Sequence, residues 1–126
     1  MGALTSINPA TGVACGRWQT HSPEEAHRLV DDAHEAFRQW RGSDWAHRSE
    51  LLHAVADQLD ARREELASLM TLEMGKPVGE ALAEVDKCSW TARFYADQAP
   101  GFLADRIVET PARRSWVSYE PVGVVL

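Results

Sequence analysis

The chain has 126 residues, of which 44% are apolar and 25% charged, and a formal charge of -6. This is the composition of an ordinary globular chain with room for one domain and a modest core. It excludes a basic footprint for nucleic acid or an anionic membrane, because the arginines are scattered among acids, and no apolar run approaches the ~20 residues that cross a bilayer.

Met1 to Asn8 has no basic region followed by an apolar stretch, so no signal peptide is expected. There is no internal repeat and no low-complexity segment. Ile7 to Gly12 reads I-N-P-A-T-G. Asn8-Pro9 opens a turn and Thr11-Gly12 closes it, which predicts a loop between two short extended pieces.

A helix should begin at Pro23. Ser22 can cap it, Pro23 suits the first helical position, and Glu25 completes a capping box. Ala26, Leu29, Val30, Ala33, Phe37 and Trp40 then form one apolar stripe at helical spacing, and Gly42 ends it. Ser43 or Asp44 can cap a second helix, whose buried face should be Leu52, Val55 and Leu59. The stripe blurs at Arg62 and Arg63 and resumes at Leu66, Leu69 and Met70, so a break is expected near Asp60. Gly75 supplies a left-handed stop, and Pro77 prevents continuation.

A further helix is predicted from Val78 to Ala99, with Val78, Leu82, Val85, Ser89, Ala92, Ala96 and Ala99 inward. Ala81, Cys88 and Tyr95 widen that face, and Pro100-Gly101 should terminate it. Beyond Gly101 the period changes. Arg106 to Thr110 and Ser115 to Glu120 read as strands with a Pro-containing turn between them. Val122 to Leu126 is a continuous apolar run of the kind found in a strand buried on both faces of a parallel sheet, with no helix after it to cover it. The expected division is therefore a helical part over 1–105, a hairpin over 106–121 and the start of a truncated strand over 122–126.

Candidate chemistry is sparse. A reactive thiolate needs a helix N-terminus, a basic neighbour or a metal. Cys88 sits mid-helix, with Lys87 directed elsewhere, and reads as a small packed core residue; Cys15, beside Gly16, has no better claim. The cysteines lack ligand spacing, and a cytoplasmic protein with free thiols is expected. His21, His27, His34, His47 and His53 form no H-x-x-x-H face for zinc and read as solvated helix positions. Glu24-Glu25, Asp31-Asp32 and Glu64-Glu65 are adjacent on helices and cannot face one another as an acid and a base. Glu24, four residues before Arg28, should pair with it. No G-x-G-x-x-G and no Walker-type loop is present. The five tryptophans, Trp18, Trp40, Trp45, Trp90 and Trp116, read as packing anchors.

Several of these stretches carry a likeness. Asn8-Pro9-Ala10-Thr11-Gly12, then Thr71-Leu72-Glu73-Met74-Gly75-Lys76-Pro77, then Tyr119-Glu120-Pro121-Val122-Gly123-Val124-Val125-Leu126 resemble, in order and spacing, the start of NAD(P)-dependent aldehyde dehydrogenases. Ala33 to Trp40 resembles that family's first helix. The wording of Glu73 to Pro77, of Phe94-Tyr95-Ala96 and of the last eight residues is most like the succinate-semialdehyde dehydrogenase branch. Val13 departs, at a surface turn, from the Glu the family often has there.

The resemblance implies an α/β fold: the mostly helical N-terminal part of a Rossmann-type cofactor-binding domain, with a hairpin arm and the first sheet strand. It implies oxidation of an aldehyde to its acid. A cysteine thiolate adds to the carbonyl, an Asn side chain and a backbone N–H hold the oxyanion, hydride passes to the nicotinamide, and a Glu activates water. None of those residues maps onto this chain. No catalytic or cofactor-binding residue is assigned, and Cys88 does not match the nucleophile's Gly-Gln-containing motif. NAD or NADP belongs to full-length members, and neither is expected to bind this chain alone.

Three lesser points follow from the resemblance. The 106–120 hairpin resembles the family's oligomerisation arm, or is an ordinary edge hairpin. Glu73 and the backbone of Ile7 match positions that hold a structural monovalent cation in some members, or Glu73 is a helix-end carboxylate in water. Lys87 and Cys88 lie on the helix that approaches the family's substrate tunnel. The expectation is the N-terminal part of such an enzyme, inactive alone, acting in its full form on an acid-bearing semialdehyde. The alternatives are a non-catalytic module pairing with a full-length aldehyde dehydrogenase and a functionless truncated product.

Overall fold

The computed structural model describes residues 2–125. Two short extended pieces pair as an antiparallel hairpin, β1 (Ala3–Ile7) with β2 (Ala14–Gln19), with a register shift between Ser6 and Ile7. The turn closes as its residues dictate. The Asn8 side chain accepts from the Ala10 N–H at 2.8 Å, the Asn8 carbonyl accepts from Gly12 at 2.8 Å, and Gly12 takes φ 70°.

Helix α1 (Pro23–Trp40) starts where the capping signal lies: the Ser22 hydroxyl accepts from the Glu25 N–H at 3.1 Å. Helix α2 (Trp45–Ala61) is capped by Asp44, which accepts from His47 at 2.7 Å. The break comes at Arg62, with φ -107° and ψ 18°, and α3 (Arg63–Met74) follows. Gly75 ends α3 in the left-handed conformation, φ 74°, its N–H bonded to the Thr71 carbonyl. Its missing side chain also matters, because a Cβ there would stand 2.9 Å from Cγ of Pro9. The N-terminal turn is thus seated on the end of α3.

Helix α4 (Val78–Phe102) overruns its predicted end. Pro100 and Gly101 lie inside it. Pro100 can donate no bond to the Ala96 carbonyl, but the loss falls in the last turn, and the Leu103 N–H still closes on the Ala99 carbonyl at 3.0 Å. The second hairpin is shorter than predicted. Its strands β3 (Arg106–Ile107) and β4 (Trp116–Val117) pair antiparallel, extended by a bond from the Val108 N–H to the Ser115 carbonyl. Val122 to Val125 forms no strand, and Leu126 lies outside the described residues. A strand needs a ladder beside it, and the only sheets among the described residues are the two hairpins. Val122 is 88% exposed.

The core is a seam of small side chains. α4 packs on α2 and α3 through Ala56, Ala67, Ala81, Val85, Ser89 and Ala96, with Leu59, Leu66, Met70 and Leu82 at its margins. No large side chain is fully buried among the described residues. Two expectations change accordingly. Val55, expected inward, is 49% exposed, and Ala56 is the residue α2 buries. All five tryptophans are exposed, as is most of the α1 stripe, because no layer lies opposite them among the described residues. Phe37 does meet another segment, packing where a Cβ on Gly123 would be 3.7 Å away. The accessible surface is 9865 Å² for a mass of 14.0 kDa. A folded monomer of that mass exposes roughly 6,700 Å², so roughly 3,000 Å² is in excess.

Candidate functional site

The feature with the shape of a site is a groove of about 910 Å³ between α2 and α4. Leu52, Val55 and Leu59 form one wall, and Ala83, Cys88, Thr91, Ala92 and Tyr95 the other. Lys76, Glu80, Glu84 and Lys87 stand at its rim, with Lys76 ion-paired to Glu84. The expectation for Cys88 is therefore corrected. It is exposed, not packed in the core, and it shares the groove with Lys87, which helical spacing alone would direct elsewhere. The core seam passes through Val85 and Ser89, which places Cys88 at the seam's border.

Away from the groove, α4 is laced to its neighbours by charge. Arg63 of α3 grips Asp86 with two bonds, at 2.5 and 2.7 Å. Arg93 reaches both Asp57 and Asp60 of α2, at 2.8 and 2.7 Å, and His53 meets Asp97 at 3.0 Å. The Ser89 hydroxyl has one proton and two acceptors nearby. The hydroxyl donates to the Ala56 carbonyl at 3.4 Å, a long bond, and lies near enough to the Asp60 carboxyl to act on its charge. That hydroxyl and then Arg93 hold the Asp60 carboxyl below its ordinary value. Arg63 does the same for Asp86, Arg62 for Glu65, and His21 for Glu25.

These carboxylates bind protons less readily folded than unfolded. Their contribution is complete above the ordinary values of 3.8 for Asp and 4.5 for Glu, and it is lost as pH falls through the lower folded values. The denaturation midpoint should therefore hold steady near neutrality and drop on acidification past 4.5 and 3.8. Each pair is solvent-exposed and individually weak, so the drop should be gradual. A midpoint that does not move through that range removes the account.

The other predicted site residues are not brought into a reactive cluster. Ile7 is exposed at the end of β1, and Glu73 is half-buried near the end of α3. The Pro9–Gly75 contact sets the two chain segments side by side. No group of three or more His, Cys, Asp or Glu side chains gathers to hold a metal among the described residues. Cys15 is half-buried beside Ser6, with Sγ 3.4 Å from Oγ. Arg28 pairs with Asp32 at 2.9 Å, not with Glu24. Its own backbone N–H and then the Ser22 hydroxyl hold the Glu24 carboxyl below its ordinary value.

A dinucleotide would find little here. Its pyrophosphate needs a helix N-terminus open to an anion. Every described helix has an acid at or near its start: Glu24 and Glu25 in α1, Asp44 before α2, Glu64 and Glu65 in α3, Glu80 in α4. The residues present do not fit that group. No described helix is long and apolar enough to cross a membrane.

The family model for the aldehyde dehydrogenase family matches residues 2–126. The chain is 46% identical to a probable NADP(+) succinate-semialdehyde dehydrogenase of Synechocystis sp., over 98% of this chain and 27% of the relative. It is 39% identical to the NADP(+) succinate-semialdehyde dehydrogenase of Mycobacterium avium, over the same shares. Among solved structures it matches succinic semialdehyde dehydrogenase of Streptococcus pyogenes in complex with NADP+, with a TM-score of 0.83 and 32% identity, over 89% of this chain and 25% of that one. Betaine aldehyde dehydrogenase of Staphylococcus aureus with NAD+ gives a TM-score of 0.85 at 26% identity, over 96% and 25%. The chain spans about a quarter of the length of the relatives it matches, and its helices and short strands correspond to their N-terminal part.

Proposed function

This chain belongs to the aldehyde dehydrogenase family, and we propose that it supplies the N-terminal scaffold of an enzyme oxidising succinate semialdehyde to succinate with NADP+. The observation that carries this reading is the 46% identity to the Synechocystis succinate-semialdehyde dehydrogenase across 98% of the chain. The fold supports a scaffolding role: an alanine seam, four helices and two hairpins, with an open groove between α2 and α4.

The chain by itself supplies no step of the reaction. Cys88 has no positive helix end beside it, being in the middle of α4. The helix starts, each with an acid at hand, repel a dinucleotide phosphate. When bound in a complete enzyme, NADP+ accepts hydride; this chain's contribution there is to hold a wall of the protein in place.

Two measurements test the reading. The purified chain with succinate semialdehyde and NADP+ should form no NADPH beyond a protein-free blank. A fusion in which it replaces the aligned segment of the Synechocystis relative should oxidise that substrate with NADP+. A folded fusion that turns over other aldehydes but not this one would remove the substrate assignment.

A further inference from the structure

A separate cavity of about 330 Å³ lies between the α1–α2 junction, the end of α4 and the segment after β4. Arg41 and Arg48 line it from the junction, and Glu120 from the segment. Arg48 is held in one orientation. Its Nε donates to the Ser43 hydroxyl and an Nη to the Trp40 carbonyl, both at 2.8 Å. Its guanidinium also lies over the Trp40 and Trp45 rings, at 5.1 and 5.3 Å. The Ser43 hydroxyl is itself fixed, donating to the Trp40 carbonyl at 2.8 Å. A guanidinium set in this way loses little freedom on meeting a ligand. Arg48 is half-buried, yet among the described residues no carboxylate comes within ion-pair distance of it or of Arg41. A charge withdrawn from water is ordinarily paired, and here the pairing position faces a cavity.

We infer that this cavity binds a small monocarboxylate with an apolar body. The carboxylate is held by Arg48 and Arg41, and the body rests against Trp45, Leu103 and Pro121, which supply the apolar lining. The guanidinium fork matches a carboxylate's two oxygens. Glu120 sets the charge of the ligand. It stands against the two arginines, so the lining carries one positive charge in excess, and a single carboxylate neutralises it. A phosphate dianion would bring a further negative charge against Glu120. Asp44, the nearest other acid in sequence, accepts from the His47 N–H at 2.7 Å and does not line the cavity. The volume is at the lower end of the range for small-molecule sites, which calls for a small ligand.

Titration calorimetry of the purified chain with benzoate tests the site. One benzoate should bind per chain, and benzamide, its neutral analogue, should bind about tenfold more weakly or worse, the usual cost of losing a hydrogen bond to a charged group. Arg41→Gln should weaken benzoate by about the same factor. The Arg41 side chain rests over the Phe37 ring at 5.8 Å and makes no hydrogen bond among the described residues, so this variant should keep the parent's unfolding midpoint. Arg48→Gln should also weaken binding, but it removes the bonds to Ser43 and Trp40 as well, so Arg41→Gln carries the test. Glu120→Gln should tighten benzoate, because it removes the like charge beside the carboxylate. No binding at millimolar benzoate overturns the inference. So does equal binding of benzoate and benzamide, or an Arg41→Gln variant that binds benzoate as the parent does. Inorganic phosphate bound more tightly than benzoate overturns it too, since the cavity would then select charge and not a carboxylate with an apolar body.

Discussion

Ala81→Leu should destabilise the chain by about 1–3 kcal/mol, the usual cost of forcing extra methylenes into a packed site. Ala81 is 0% exposed and meets Ala67 and Val85 where α3 and α4 touch. Helices approach this closely only because their facing side chains are small, so a leucine must push them apart. The loss weighs heavily here. A domain of this size has a total stability of about 5–15 kcal/mol, and a core in which no described large side chain is fully buried belongs at the low end of that range. Ala83→Leu is the control. Ala83 is exposed along the groove, so the same change should stay within about 0.5 kcal/mol of the parent. Urea denaturation of both variants decides the matter. If Ala83→Leu proves the more damaging, the seam is not where the stability resides.

Gly75→Ala should be the second large loss, and its size can be dissected. A left-handed residue with a Cβ costs about 1–2 kcal/mol, and at Gly75 that Cβ would also press on the Pro9 ring at 2.9 Å. Gly12 has nearly the same backbone, φ 70°, and nothing lies within 4 Å of where its Cβ would stand. Gly12→Ala should therefore show the conformational cost alone, and the difference between the two measures the seating of the N-terminal turn on α3. Adding Pro9→Ala to Gly75→Ala should recover that difference. No recovery means that the turn does not rest on the helix end in solution.

Local chemistry made the helix boundaries legible. Ser22 with Glu25, Asp44, the break at Arg62 and the stop at Gly75 all depend on groups within a few residues of one another, and all lie where the sequence places them. Pro100 misled because proline stops a helix from continuing far beyond it, yet is tolerable in a last turn. The tryptophans, Val55 and Cys88 misled for a different reason. An apolar pattern states which face avoids water, but not whether the covering layer is among the residues in hand. The exposed groove was illegible for the same cause. Cys88 borders the seam closely enough that one step around the helix decides between core and groove.

The charged edge of α4 has a consequence for geometry. A seam of alanines is nearly smooth: slide or rotate one helix by a turn and one methyl replaces another at little cost. The seam therefore holds the helices close while leaving their mutual azimuth loosely set. Arg63 on Asp86, Arg93 on Asp57 and Asp60, and His53 on Asp97 fasten α4 at separate heights to two different helices. Each pair is too exposed to add much stability, but together they act as keyways, admitting one rotational setting of α4 and so fixing which of its faces is presented outward.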